Sequence, residues 1–567
     1  MASYFYDRSG QAPAVSSSSS QAAAPSRQQP DRDKFLNEKR EMNAQQCETF
    51  SAWLLRNGSK FADRVELRAY DDEVRGVHAT RDIGGEEIVV EIPLKCLITV
   101  EMGKETDVGK AVLEADLELD APKHVFLMLF LLTDKKRGDA SFFKPYYDML
   151  PATLRNMPVF WTDEELAKLD GSYLRCQVEE RKRAIANDYE AICGVFPSFR
   201  EIATLAEFQW ARMCVCSRNF GVVVNGVRTS ALVPYADMLN HLRPRETKWT
   251  YDNQRGAFTI TALQSLHCGQ QIYDSYGQKC NHRFLLNYGF AVEDNREPDG
   301  FCPNEVSVSI ALKERDPLAP RKQLLWIRDG AVGAKRLRIC ASDNDNFRAV
   351  LSLLRVAVAD DDDLERVLGQ NPYGSYRTAS DVHFPVSFKN EVRTLRELRA
   401  LAADLLAKYP TTLDDDKAAL ATNNDQLPPF SNARHATIHV KSEKEVLHHY
   451  LAFAKTALDL AKVPLGDKFD AKLAALFDDG THFKHVASYC NSVLRQVKRL
   501  AGQTNTGGGH LADDLQAWLD HSNEEDDTVV PDQNYPPDLT NGTPNGTNTR
   551  REDNGNPVVD LKAPTIV

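Results

Sequence analysis

The stretch VPYADMLNH (Val233–His241) runs from an apolar lead-in to Asp237 and, three residues on, to the pair Asn240-His241. A second stretch, QQIYDSYGQKCNHRFLLNYGF (Gln270–Phe290), carries Tyr276 and Tyr288. A carboxylate, an amide, an imidazole and two phenols can together orient a polar acceptor, brace a turn and wall a slot from water. Each alone has a plainer reading. Asn240 and His241 also suit a polar turn ending a strand, and the tyrosines also suit ordinary strand and core positions. The chemistry requires a fold that brings both stretches to one cavity.

Composition narrows the function class. Lys+Arg 69 against Asp+Glu 81 leaves a net charge of −12 over 567 residues, which argues against a dedicated nucleic-acid binder. At roughly 100–200 residues per domain the length suggests two or three domains. The 11 cysteines are scattered, with only Cys214 and Cys216 close together. No C-x-x-C or H-E-x-x-H occurs, so no zinc site is expected, and the odd count suits reduced thiols. No run reaches the ~20 apolar residues of a membrane helix. The longest, VFLMLFLL (Val125–Leu132), reads as a buried helix.

The elements that must position the five residues follow from periodicity. Residues 1–33 are Ser/Ala/Pro/Gln-rich and read as a disordered tail rather than a secretory or transit signal. A helix is expected over Asp33–Asn57, stopped by Gly58. Alternation predicts strands in VELRAY, GVHATRDI and EIVVEIP, with RDIGGEEIVVEIP as two strands around a Gly-Gly turn. Residues 105–215 turn helical. Strands return at Phe220–Val227, Thr229–Val233, Ala257–Ala262 and Gln271–Tyr276. A helical block covers about 313–500, and the chain from 503 to 567 reads as a second disordered tail whose NGT triplets at Asn541 and Asn545 are discounted as glycosylation sites. The Asp360–Asp363 run reads as a solvated loop or helix start.

Four ordered segments resemble the SET-domain protein methyltransferases, in the branch of the Rubisco large-subunit lysine methyltransferase and the actin-histidine methyltransferase. They are EVRGVHATRDI (Glu73–Ile83), SRNF (Ser217–Phe220), VPYADMLNH, and IYDSYGQKCNHRFLLNYGF (Ile272–Phe290). FKPYYDMLP resembles a turn of the branch's helical insertion. PVSFKNEVRTLRELRALAADLLAKYPTTLDDDK resembles its helical substrate-binding domain. The resemblance implies an α+β fold: a SET β-fold of short, knot-like threaded sheets over 34–295 with a helical insertion at about 105–215, then an all-α substrate-binding domain over 300–502.

The resemblance also implies S-adenosyl-L-methionine as cofactor, held by Glu73, Val74, Arg75, Arg218, Asp237, Met238, Leu239, Asn240, His241, Tyr288, Gly289 and Phe290. Arg218 would meet its carboxylate, Asn240 and His241 its amino end and adenine, and Phe290 the base. Tyr276, Asp237 and Tyr288 are the catalytic candidates, and Ser217 and Phe220 line the substrate channel. Asp237 has two open roles, positioning the substrate amine or bracing the Asn240-His241 turn. No metal is implied.

The donor of such a reaction is a sulfonium whose methyl is attacked in line, so positioning supplies much of the rate, up to roughly 7–11 kcal/mol. A lysine acceptor must first lose its proton. A dry aromatic channel and a neighbouring positive charge both favour the neutral amine. Phe220, Ala236 and Tyr288 match the lysine enzyme rather than the histidine enzyme, so the expected function is lysine methylation of a non-histone protein. A histidine acceptor, or a catalytically silent scaffold that binds a partner, are the alternatives. The expected partner is a protein substrate, with no nucleic acid and no membrane. The expected state is a monomer in the cytoplasm or nucleus rather than a plastid.

Overall fold

In the computed structural model, residues 44–70, 75–330, 333–369, 378–421, 427–478 and 481–503 are described. Glu73, Val74 and both expected tails fall outside them, apart from Gln503, which ends the last helix.

Half-buried alternation builds twelve short strands. They are β1 (Val65–Ala69), β2 (Arg75–Ala79), β3 (Ile88–Pro93), β4 (Ile98–Thr99), β5 (Asn219–Val224), β6 (Val227–Leu232), β7 (Asn240–His241), β8 (Thr247–Asp252), β9 (Ala257–Ala262), β10 (Gln271–Asp274), β11 (Glu305–Ile310) and β12 (Lys335–Cys340). They form four separate sheets, in the orders β1-β2-β10-β7, β3-β9-β8, β4-β6-β5 and β11-β12. The first sheet matters most. It lays β2, from the Glu73–Ile83 segment, antiparallel to β10, and lays β7 parallel to β10 with Tyr273 opposite Asn240 and Asp274 opposite His241. Three of the four sequence segments therefore meet in one sheet.

The helical insertion lies between β4 and β5. Its apolar helix Pro122–Lys135 buries the VFLMLFLL run, and the helix Leu205–Arg218 starts in a Thr204/Glu207 capping box and ends by delivering Arg218. Beyond β10 the short helix Asn281–Tyr288 stops at Gly289, whose φ of +78° is the left-handed C-terminal cap that glycine adopts without a Cβ clash. The C-terminal region is helical, with Phe388–Leu406 packed on the long helix Asn432–Ala461. Inside it, Arg355 grips the Glu391 carboxylate bidentately at 2.7 and 2.8 Å while Tyr489 donates to the same carboxylate at 2.6 Å. Among the described residues no helix is long and apolar enough to cross a membrane.

Several local expectations shift. The hairpin strands end at Val224 and restart at Val227, because Asn225 and Gly226 both take positive φ, the turn geometry that matches strand twist. Ile83 makes only a single bridge, to Leu266, so the RDI segment is not a strand. β8 was not expected, although TKWTYD alternates, and it pairs along its whole length with β9. The region 300–502, expected to be all-α, also contains a pair of strands, since β12 lies antiparallel to β11. The acidic run is a helix start: Asp360 caps Asp361–Leu368 through the Asp363 amide.

Burial of titratable groups sets an acid limit. Burial pushes His124, His241 and His439 down to about 3, and His435 and His485 down to about 4, from an ordinary 6.5. A histidine depressed on folding makes the unfolded chain bind protons first, so its stabilisation is lost as pH falls from about 6.5 toward the folded value. Burial pushes Glu443 up to about 7, and Asp188 and Asp274 up to about 6, which has the opposite sign. The histidines outnumber these carboxyls, so thermal denaturation followed by circular dichroism is expected to give a lower Tm at pH 5 than at pH 7. An equal or higher Tm at pH 5 would contradict this account.

Candidate functional site

The site begins at a strained elbow. Tyr235 is fully buried, takes φ 78° and ψ −47°, and packs its ring 4.1 Å from Phe61. A bulky residue in this region costs of order 1–3 kcal/mol and persists only where its surroundings enforce it. The elbow turns the chain out of β6 into Ala236–Met238 and then into β7, so Asp237 and Asn240-His241 face inward. All three are buried.

Asp237 sits in a buried polar knot. Arg218 Nη1 donates to its Oδ2 at 2.9 Å and to its backbone carbonyl at 3.3 Å, and the Tyr146 hydroxyl donates to Oδ2 at 2.9 Å. Burial pushes the Asp237 carboxyl up against the pull of Arg218. Burial also opposes the charge on Arg218, but the groups around it, Asp237 foremost, together outweigh it and keep the guanidinium protonated. These bonds tie the end of the insertion and the FKPYYDMLP turn to the Ala236–Met238 turn before Asn240. Two atoms of the knot, Arg218 Nε and Asp237 Oδ1, are buried without a hydrogen-bond partner among the described residues. One is a donor and the other an acceptor.

Asn240 is fixed by its amide, which donates to the Arg75 carbonyl at 3.0 Å and to Gln271 Oε1 at 2.8 Å. Gly76 makes room for this bridge, because a Cβ there would stand 2.8 Å from Gln271 Oε1. The Arg75 side chain reaches the Met149 sulfur at 3.6 Å. His241 Nδ1 accepts the Tyr276 backbone N–H at 3.0 Å, and burial with Arg243 and Lys279 nearby keeps the ring neutral.

The aromatic groups form a continuous wall. Tyr276 stacks on Tyr288 at 5.0 Å and on His241 at 5.1 Å. His241 meets Phe284 at 4.9 Å, and Phe284 stacks on Phe290 at 5.0 Å. The Tyr276 hydroxyl donates to the Leu239 carbonyl at 2.9 Å. Burial pushes both phenols well above their usual range, so neither becomes a phenolate that would pair with an ammonium.

Asn240, His241, Tyr276, Tyr288, Gly289 and Phe290 therefore converge, with Met238 and Leu239 buried behind them and Arg218 and Asp237 tied alongside. Ser217 and Phe220 have the following contacts. The Ser217 hydroxyl donates to the Met213 and Cys214 carbonyls within its own helix. The Phe220 ring meets Trp249 at 5.3 Å and Phe258 at 5.1 Å rather than the tyrosine pair. Cys214 and Cys216 are free thiols. Three contributors escaped sequence reasoning: Tyr146, Gln271, and Asn156, whose amide donates to the Tyr288 and Gly289 carbonyls at 3.4 and 3.3 Å. The quoted FKPYYDMLP turn was the available signal for Tyr146. No local pattern marks the other two.

Removing one partner of the knot leaves the other charge buried. Asp237→Ala is expected to destabilise the protein by about 3–5 kcal/mol in urea denaturation, and the double variant Arg218→Leu/Asp237→Leu to recover part of that loss. Asp237→Ala within about 1 kcal/mol of wild type would mean the pair does not brace the fold.

Comparison with known proteins agrees with this geometry. The SET domain family matches residues 74–277, and the Rubisco LSMT substrate-binding family matches residues 313–447. Among curated proteins, the actin-histidine N-methyltransferase of Gallus gallus is 27% identical over 409 residues, covering 70% of this chain and 66% of that protein. The Mus musculus protein of the same name is 28% identical over 409 residues with the same coverage. The chain thus spans about two thirds of the length of these relatives, 66%. Among solved structures, the SET domain of LSMT bound to lysine and AdoHcy superposes with a TM-score of 0.59 at 22% identity, over 73% of this chain and 91% of that one. Rubisco LSMT bound to AdoMet gives 0.58 at 22% identity, over 72% and 91%. These likenesses show the same fold. The chain belongs to the SET-domain methyltransferases, in the branch whose SET domain is followed by a Rubisco LSMT substrate-binding domain.

Proposed function

We propose that this methyltransferase uses S-adenosyl-L-methionine to methylate a lysine side chain of a non-histone protein. When bound, that cofactor supplies an electrophilic methyl group on a sulfonium. The orphan donor of Arg218 and the orphan acceptor of Asp237 would hold its carboxylate and ammonium. Asn240 and His241 would hold the nucleoside, with Phe290 and Phe284 against the base.

The observation that carries the lysine reading is the behaviour of an amine already at this wall. Lys279 donates to the Tyr276 carbonyl and places Nζ 5.8 Å from the centre of the Tyr288 ring. Burial and the Arg283 charge push it down to about 8 from an ordinary 10.5. An incoming lysine amine beside Tyr276 and Tyr288 meets the same desolvation, which frees its lone pair for in-line attack near neutral pH. The Tyr276 hydroxyl, whose hydrogen points to Leu239, offers its oxygen lone pairs to orient that amine. The wall excludes water from the path, and the acceptor's proton leaves toward solvent before attack.

A histidine acceptor is the second reading. It is favoured by the names of the curated relatives, actin-histidine N-methyltransferase. An imidazole carries its own lone pair and needs no deprotonation at neutral pH.

Incubation of the full chain with tritiated S-adenosylmethionine and cell lysate, followed by mass spectrometry of labelled bands, separates the readings. Methyl on lysine Nζ is the expected result, and methyl on an imidazole nitrogen would establish the second reading. Tyr276→Phe is expected to slow labelling at least about tenfold, equivalent to about 1.4 kcal/mol in the barrier. Equal labelling by this variant would remove Tyr276 from the catalytic assignment.

A further inference from the structure

The loop that closes the aromatic wall, Tyr288 to Ala291, is not held by the SET domain alone. Its first two carbonyls accept from Asn156, within the helical insertion. The next anchor comes from the substrate-binding region: the Ala291 N–H donates to His435 Nδ1 at 3.1 Å. His435 stands in the first turn of the Asn432–Ala461 helix and is buried. The same turn is clamped at several further points. Asn432 donates to the Arg155 carbonyl at 2.9 Å and to Glu165 at 2.7 Å, Arg434 pairs with Glu293 at 2.9 Å, and Ile438 packs with Leu420 on Ala291.

These contacts fix the orientation of His435 and leave its ring one task, to accept the Ala291 N–H. Nδ1 receives Ala291, so the ring proton sits on Nε2, which has no partner among the described residues. A histidine serving packing alone would not be chosen to bury an unpartnered N–H. Burial holds the ring neutral, which the acceptor role requires. Phe290, the neighbour of Ala291, is stacked on Phe284 and touches His241 at 6.1 Å.

Resting on the cofactor reading above, we propose that His435 is a positioning residue, supplied by the substrate-binding region, that sets the Tyr288–Ala291 loop in the form that binds the nucleoside of the cofactor. Nucleoside affinity in the SET domain then depends on a side chain 144 residues away in sequence, in the region that receives protein substrate.

Calorimetry with S-adenosylhomocysteine on the full chain tests this with two polar variants of similar volume. His435→Asn keeps an acceptor oxygen close to the Nδ1 position, whereas His435→Gln carries it out toward Nε2. The expected result is that His435→Asn binds within about twofold of wild type and His435→Gln about tenfold more weakly. In the labelling reaction, KM for S-adenosylmethionine is expected to rise in the Gln variant while KM for the protein acceptor stays within twofold. A role in packing alone would lower the Tm of both variants without separating their affinities. That result, or equal affinity in all three proteins, overturns the proposal. If wild type binds no S-adenosylhomocysteine, the cofactor reading fails and this inference fails with it. Wild-type binding that is indifferent to the variants overturns this inference only.

Discussion

A buried charge cannot be left alone in a protein interior, and the arrangement of this site follows from that constraint. Arg218 lies at the end of the insertion's last helix with a side chain that is 2% exposed, and the Asp237 side chain facing it is 0% exposed. Neither tolerates the interior without the other. The insertion must therefore end where the Ala236–Met238 turn begins, and Tyr146 must come close enough to donate to the shared carboxylate. Three segments far apart in sequence are brought into contact by this demand. The strained backbone at Tyr235 persists because the knot on one side and the Phe61 contact on the other leave it no relaxed alternative.

With the turn placed, the sheet does the rest. β7 is only two residues long and has little pairing energy of its own. Its register against β10 is set by Asn240, whose amide spans the Arg75 carbonyl and Gln271. Strands of two to six residues cannot bury a large core, so side-chain bridges replace long ladders as the means of fixing register. The conformation of the Arg75–Gly76 backbone, the Asn-His pair and the tyrosine wall are consequently parts of one hydrogen-bonded unit. A change in any of them is transmitted to the others through contacts of about 3 Å.

Much of this was legible in the sequence because the residues that touch one another belong to short, locally patterned segments. Asn240, His241, Tyr276, Tyr288 and Phe290 lie within two such segments, and alternation in VELRAY and EIVVEIP marked the strands that frame them. The illegible part has a common physical cause. Tyr146, Asn156 and His435 reach the site across 91, 132 and 144 residues of chain, and tertiary packing alone selects them. Phe220 shows the converse. Its position after Ser217-Arg218 suggested the channel, and its ring contacts with Trp249 and Phe258, both on strands of another sheet, were not visible in that segment.

The two ends of the aromatic wall carry different physical demands, and the fold assigns them to different supports. The His241–Phe290 end needs a fixed flat surface, and its backbone is held by the Asn156 side chain of the insertion and the His435 side chain of the long C-terminal helix. The Tyr276–Tyr288 end needs dryness more than rigidity, since removing water from an amine shifts its protonation whether or not the ring positions are exact. Lys279 lies at this end, and burial pushes its amine down to about 8. A site divided in this way can change its acceptor by altering the tyrosine end while keeping its donor.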